Sequence, residues 1–473
     1  MFSRRDFIKI SLITVFVLEI VLIAACQPGQ AISTPTPSQA IMQPSPTKPS
    51  RESTPVPTQM PEVTESSSLL PGDSYSPAIS SDGRFVVFVS SAGDLIEATY
   101  SKCQISGGIP HNCSNIYLYD REEGVLSLIS TSPNGQPGNG NSFSPAISGD
   151  GQWIVFFSDA TNLIENPTGP GVYLYELKTD QLNLIAQAGR DPSISADGRF
   201  VAYAGATAGR NVFIYDRESG EKLMISRGWD GQSSNGDSLA PQISADGRLV
   251  AFWSWAGNLT PDDFEICREN ETVNYSCGDV FVFDRNTSQL ERIAVGEGYG
   301  LGMGTYSLSL SADGNLVAFN CQVFDREKSQ VIYEESCGKL SADGQEIVFQ
   351  RGADFFVRDV STGQETQVSV ADDGTPSNGE WIDFAISFEG ESFVPGFGIS
   401  ADSRWVVFAS TASNLAPDDN RICSTGLFEP HPCYDIFVYD RVTKLIEWIS
   451  KPANATTAAS PFSGRSHSPR PGF

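Results

Sequence analysis

From about residue 71 the chain alternates short apolar runs with polar turn clusters. Examples are Phe85-Val86-Val87-Phe88, Phe200-Val201-Ala202-Tyr203 and Trp405-Val406-Val407-Phe408, each preceded by an arginine. Such runs, rich in β-branched and aromatic residues and too short for a helix, predict strands. In front of each stands Ser-x-Asp-Gly or a close variant: Ser80 to Gly83, Ser148 to Gly151, Ser195 to Gly198, Ser244 to Gly247, Ser311 to Gly314, Ser341 to Gly344, and Ser400-Ala401-Asp402-Ser403. Asp-Gly between two β-rich runs signals a hairpin, because glycine takes positive φ without steric cost. A third run ends in an acidic residue, as in Ile116 to Asp120, Val212 to Asp216, Val280 to Asp284 and Ile436 to Asp440. A fourth closes the unit, as in Leu126 to Ser130, Leu223 to Ser226, Leu290 to Ala294 and Leu445 to Ser450.

Four short antiparallel strands repeated seven times predict an all-β chain folded as a single β-propeller of seven four-stranded blades, in which neighbours cover faces that no lone sheet can shield. The repeat resembles the WD-repeat-like propeller of TolB-like proteins over roughly residues 71–450. That resemblance implies a fold and a tendency to bind partners, with no particular reaction. The fifth unit is compressed, and Ala385-Ile386-Ser387-Phe388-Glu389-Gly390 reads as a decayed extra anchor, which leaves eight blades open.

Residues 1–25 read as an export signal rather than part of the fold: Arg4-Arg5 with Phe7, Ile8 and Lys9, then an apolar run to Ile23-Ala24-Ala25-Cys26. The arginine pair resembles the twin-arginine signal of bacteria, and the ending resembles a lipobox. The resemblance implies cleavage before Cys26 and a lipid on its sulfur. Residues 26–70, dominated by Pro, Ser and Thr, have too few apolar side chains to repay the entropy of folding and read as a disordered stalk. Residues 451–473 read as a C-terminal tail. The expectation is an extracytoplasmic protein tethered to the bacterial cell membrane only by its lipid.

Composition narrows the function further. The 473 residues carry 31 Lys and Arg against 57 Asp and Glu, a formal net charge of −26. Nucleic-acid binding needs a basic footprint, so that class is excluded. Three histidines leave little for a His-rich metal site. There is no Gly-x-Ser-x-Gly elbow, no His-Glu-x-x-His and no phosphate loop, and no residues remain for an α/β hydrolase domain. No catalytic residue, cofactor or metal is therefore assigned.

Besides Cys26, eight cysteines fall in neighbouring couples: Cys103 with Cys113, Cys267 with Cys277, Cys321 with Cys337, and Cys423 with Cys433. Three couples share one spacing and one place, between the second and third strands, so four local disulfides are expected, as suits an exported protein. In a closed ring, units 7 and 1 adjoin with unit 4 nearly opposite, and the stapled loops stand around one mouth. Two loops end alike, with His111 before Cys113 and His431 before Cys433, and Tyr275 holds the matching place in unit 4. These residues with Trp229, Trp255 and Trp381 are candidates for a binding face. Asp262-Asp263 and Asp418-Asp419 offer a weak calcium alternative, without the alternation of an EF-hand-like loop. The recurrent aspartates of the Asp-Gly pairs are assigned to turn hydrogen bonds.

The expected function is a monomeric module that binds a protein, peptide or cell-wall glycan on its loop face. The alternatives are a hydrolase or lyase with carboxylates and histidines around the channel mouth, and a purely structural envelope protein.

Overall fold

The computed structural model describes residues 72–453 apart from 105–109, 167–168, 207–208, 263–265, 271–272, 277, 295–307, 320, 335–337, 381–386, 389–390, 393–395, 418 and 424–430. The expected signal peptide with Cys26, the stalk and most of the tail lie outside the described residues, as do Cys277, Cys337, Asp263, Asp418 and Trp381.

Seven four-stranded antiparallel sheets follow one another, each from its own stretch of chain. Blade 1 is Ser74–Ile79, Phe85–Ser90, Asn115–Asp120 and Val125–Leu128. Blade 2 runs from Ser142 to Gln187, blade 3 from Gly189 to Met224, blade 4 from Ser238 to Ala294, blade 5 from Ser309 to Glu334 and blade 6 from Gly338 to Gln367. Blade 7 is Phe397–Ile399, Trp405–Ser410, Asp435–Asp440 and Ile446–Trp448. The first strands of successive blades touch in an unbroken circuit that includes blade 7 against blade 1, so they are innermost and border the channel. The chain is a closed seven-bladed β-propeller, and no helix occurs among the described residues. Among the described residues the decayed anchor supplies a small hairpin, Ser387–Phe388 with Glu391–Ser392, between blades 6 and 7.

Seven apolar clusters hold the ring, one at each blade interface. Alternation along a strand explains this. In blade 1, Val86 and Phe88 pack toward blade 7, whereas Val87 and Val89 pack toward blade 2. Full burial of each such side chain stabilises by about 1.5–3 kcal/mol, and every second strand is buried on both faces.

The Ser-x-Asp-Gly turns behave as the pattern predicts. Asp82 accepts the Ser80 hydroxyl at 2.6 Å and the Arg84 amide at 3.0 Å, and Ser80 Oγ in turn accepts the Phe85 amide. Gly83 has φ +74°, and a Cβ there would stand 2.1 Å from Trp405 of blade 7. Adjacent turns are also linked by main-chain bonds, such as Ser81 N–H to Gly149 O at 3.0 Å and Ala401 N–H to Ser81 O at 3.1 Å. The innermost strands hold a feature the hydrophobic pattern did not predict. Ser76, Ser144, Asp191 and Ala240, each before a proline, take positive φ, and the register with the second strand shifts there.

Candidate binding face and the seam between blades 7 and 1

Strand alternation sends the second-to-third connections and the blade-to-blade links to one face, and the Ser-x-Asp-Gly hairpins to the other. The accessory hairpins all fall on the first, the loop face: Lys102–Gln104 with Pro110–Asn112 on blade 1, Ile266–Asn270 with Val273–Ser276 on blade 4, Ile422–Cys423 with His431–Pro432 on blade 7, and the hairpin in the link to blade 7. The three loops start with one buried step, an alanine and a leucine after the second strand: Ala92 and Leu95, Ala256 and Leu259, Ala412 and Leu415. Blade 2 uses the same step, Ala160 and Leu163, with no hairpin after it among the described residues.

Among the described residues disulfides close two hairpins, Cys103–Cys113 and Cys423–Cys433, each with its Cα atoms 4.8 Å apart. Cys321 is also disulfide-bonded. The registers are the same in all three blades, pairing Cys103 with His111, Cys267 with Tyr275 and Cys423 with His431. The equivalence of His111, Tyr275 and His431 expected from sequence therefore holds in the backbone.

The candidate side chains have unlike surroundings. Trp229, in the link into blade 4, is 61% exposed, and its main-chain N–H donates to Asn258 O at 3.0 Å. Trp255 lies half-buried beside Gly278. His111 is half-buried in its hairpin. His431 is buried, with Nε2 3.3 Å from Asp73 Oδ2, while the Tyr434 amide donates to Asp73 Oδ1 at 2.8 Å and the Ser74 amide to Tyr434 O at 2.8 Å. His431 thus ties the hairpin of blade 7 to the strand that opens blade 1. Asp262 is exposed. Among the described residues no group of three His, Cys, Asp or Glu side chains is placed to hold a metal.

Behind the blade 7 hairpin is a buried polar cluster that sequence reading missed. Asp435, fully buried at the start of the third strand, accepts from Arg421, from Ser450 Oγ at 2.6 Å and from Trp448 Nε1 at 3.1 Å. Arg421 also donates to Ser450 O at 3.2 Å and reaches Asp94 of blade 1 at 3.5 Å. Burial, and next the charge of Asp435, push the Asp419 carboxyl up to about 7, with Arg421 opposing. Burial also pushes Asp435 upward. Blade 4 repeats the buried pair as Asp279–Arg292 at 2.9 Å. Blades 1 and 3 place Asn115 and Asn211 there, each accepting a serine hydroxyl at 2.9 and 3.0 Å. A signal existed, since Asp435 and Asp279 stand one residue before the apolar third-strand run. The innermost strands carry one carboxylate among the described residues, Asp191, which burial holds above the usual aspartate range.

No family model and no curated protein matches the chain. Several solved structures align with it at low identity. TolB from Acinetobacter baumannii aligns with TM-score 0.36 and 13% identity over 70% of this chain, which spans 58% of that one. The β-propeller domain of the Trilobed protease from Pyrococcus furiosus, described as having an open velcro topology, aligns with TM-score 0.47 and 12% identity over 82% of this chain and 98% of that one. An oligogalacturonate lyase in complex with manganese aligns with TM-score 0.41 and 15% identity over 72% and 93%. A second TolB-type structure, putative TolB from Agrobacterium tumefaciens, aligns with TM-score 0.34 and 15% identity over 62% of this chain and 79% of that one. The likeness extends to the fold alone, and the blade count stands on the chain's own strand order.

Proposed function

We propose that this protein is a lipid-anchored, extracytoplasmic binding module that engages a protein, peptide or cell-wall glycan through its loop face. The observation that carries the reading is the gathering of the accessory hairpins, two of them closed by disulfides, on one face beside the exposed Trp229. A stapled loop is ordered before its partner arrives and loses less entropy on binding. The hydrolase reading has less support. Carboxylate chemistry needs a facing pair, and Asp191 stands without a second carboxylate on the innermost strands among the described residues. The Arg4-Arg5 pair and Cys26 support export and tethering.

The test uses the full-length chain in detergent with purified peptidoglycan sacculi and a peptide array as probes. Trp229→Ala should weaken retention about tenfold, as expected for an exposed aromatic anchor. Val442→Ala, on the opposite face, should not. Equal loss in both variants, or steady turnover of the sacculi, would defeat the reading. In cells, Cys26→Ser should abolish palmitate labelling.

A further inference from the structure

On the face opposite the stapled loops, an arginine follows the acidic residue that ends the third strand in five blades: Arg121, Arg217, Arg285, Arg326 and Arg441. Each donates to the carbonyl at the last position of its own Ser-x-Asp-Gly turn or its Ser403 variant. Three also lie over an aromatic ring of the preceding blade. Arg121 is 3.8 Å from the ring centre of Trp405, Arg217 is 4.0 Å from Trp153 and Arg285 is 3.7 Å from Phe200. Trp405 and Phe200 each carry a second guanidinium from their own blade, Arg404 and Arg199. Two of the five reach a fourth-strand carboxylate of the preceding blade, Arg121 to Glu447 at 2.9 Å and Arg326 to Glu291 at 2.6 Å.

Between blades 1 and 2 the ring is present and the arginine is not. Phe85 packs on Gly151 as Trp405 packs on Gly83, and Arg84 of its own blade is 4.8 Å from the ring centre. Blade 2 places Leu177 where the five arginines stand. Ser127, paired with Leu118 as Glu447 is with Val438, takes the place of the acidic partner. Both halves of the ion pair are replaced by uncharged residues. The space is a cavity of ≈ 580 Å³ whose lining includes Phe85, Leu177 and the carboxylates of Asp82, Asp120, Glu123 and Asp150; Arg84, the single cation among the described lining residues, already holds Asp120 at 2.6 Å, which leaves Glu123 the carboxylate most open to a second cation.

We propose that this cavity binds an arginine side chain of a protein or peptide partner, its guanidinium stacked on Phe85 and donating to the Gly151 carbonyl. The second observation behind the site is the protein's own chemistry, because at three interfaces a guanidinium already occupies the equivalent place on a ring. Arginine suits it better than lysine, since a planar fork can stack and donate to carbonyl and carboxylate together. The volume exceeds one side chain, so residues beside the arginine enter as well. A net charge of −26 draws a cationic segment toward the molecule. This site is separate from the loop face and stands whether or not that reading does.

The test is saturation-transfer NMR on the full-length protein with Nα-acetyl-arginine amide, its citrulline analogue and its lysine analogue as probes. The arginine probe should bind in the millimolar range, with citrulline about tenfold weaker because it has lost the cation. Leu177→Arg, which copies the other blades, should place the chain's own guanidinium on Phe85 and abolish probe binding while keeping or raising the melting temperature. Glu123→Gln should weaken binding about twofold to fivefold, and it keeps the test alive should Leu177→Arg fail to fold. Undiminished binding to folded Leu177→Arg, equal binding of citrulline, or no arginine binding would each overturn the proposal. So would binding only after removal of the residues beyond 453, which would mean that Arg465 or Arg470 of the same chain fills the site.

Discussion

Asp419 couples the state of one proton to the stability of the seam. Its carboxyl lies about 7 in the folded protein against 3.8 in a solvated chain, because burial and the Asp435 charge favour the neutral form. The folded state therefore binds the proton more tightly than the unfolded one. The resulting stabilisation is complete below about pH 4 and is lost as pH rises through about 7. Asp419→Asn, which mimics the neutral carboxyl, should melt near wild type at about pH 4 and increasingly above it as pH rises to about 8. Melting curves across that range check this, and a wild-type slope surviving in the variant would contradict it. Other residue-scale matches are equally local. A glycine with φ near +70° faces a large side chain of the preceding blade in six turns, Gly83 against Trp405 among them. In the seventh, Ser403 at φ 58° goes with Glu346 on the preceding blade, which Arg441 binds at 2.6 Å. The need for positive φ was legible in Asp-Gly. The neighbour each glycine must leave room for was not, because it belongs to another repeat.

Among elements, the strands were the most legible, since their period of two and their turn residues are local properties. The third strand of blade 7 was read from Ile436 and begins at Asp435, a buried polar residue that hydropathy does not mark as strand. The bulges before Pro77, Pro145, Pro192 and Pro241 escaped because a residue before proline ordinarily favours extended backbone. Of the candidate site, the cysteine couples and the match of His111 with His431 were visible as spacing. That His431 turns inward depends on Asp73, 358 residues away, which no local pattern encodes. The stapled hairpins should behave as units of their own. Closing the short loop between Cys423 and Cys433 constrains the open form by about 2–3 kcal/mol in the chain-entropy picture. Replacing both cysteines by alanine should accelerate amide exchange at positions 422, 423 and 431 by about tenfold or more, while Trp405–Ser410 keeps its protection. Equal acceleration in that strand would show the hairpin and blade to be one cooperative unit.

For the whole molecule the decisive feature is that, among the described residues, no strand is exchanged between the first and last blades, and these residues close the ring by packing and polar contacts. Across the seam, Val86 and Phe88 meet Val407 and Ala409, the Ser74 amide meets Tyr434 O, and Arg121 pairs with Glu447, both side chains only 7% exposed. The comparable interior pair, Arg326–Glu291, has Glu291 47% exposed. Removing the partner of a buried ion costs far more than removing that of an exposed one. Glu447→Ala should therefore lower stability by about 2–3 kcal/mol, below the ~3–5 kcal/mol of a wholly orphaned charge because Arg121 keeps the Gly83 carbonyl and the Trp405 ring. Glu291→Ala should cost less than about 1 kcal/mol. Urea titrations give both numbers, and hydrogen exchange gives the location. In Glu447→Ala the amides of Ser74–Ile79 and Ile446–Trp448 should open before those of blade 4, because a ring held by nearest-neighbour contacts fails first at its weakest interface. Equal costs at the two positions, or opening that starts in blade 4, would mean that the seam is no weaker than any other interface.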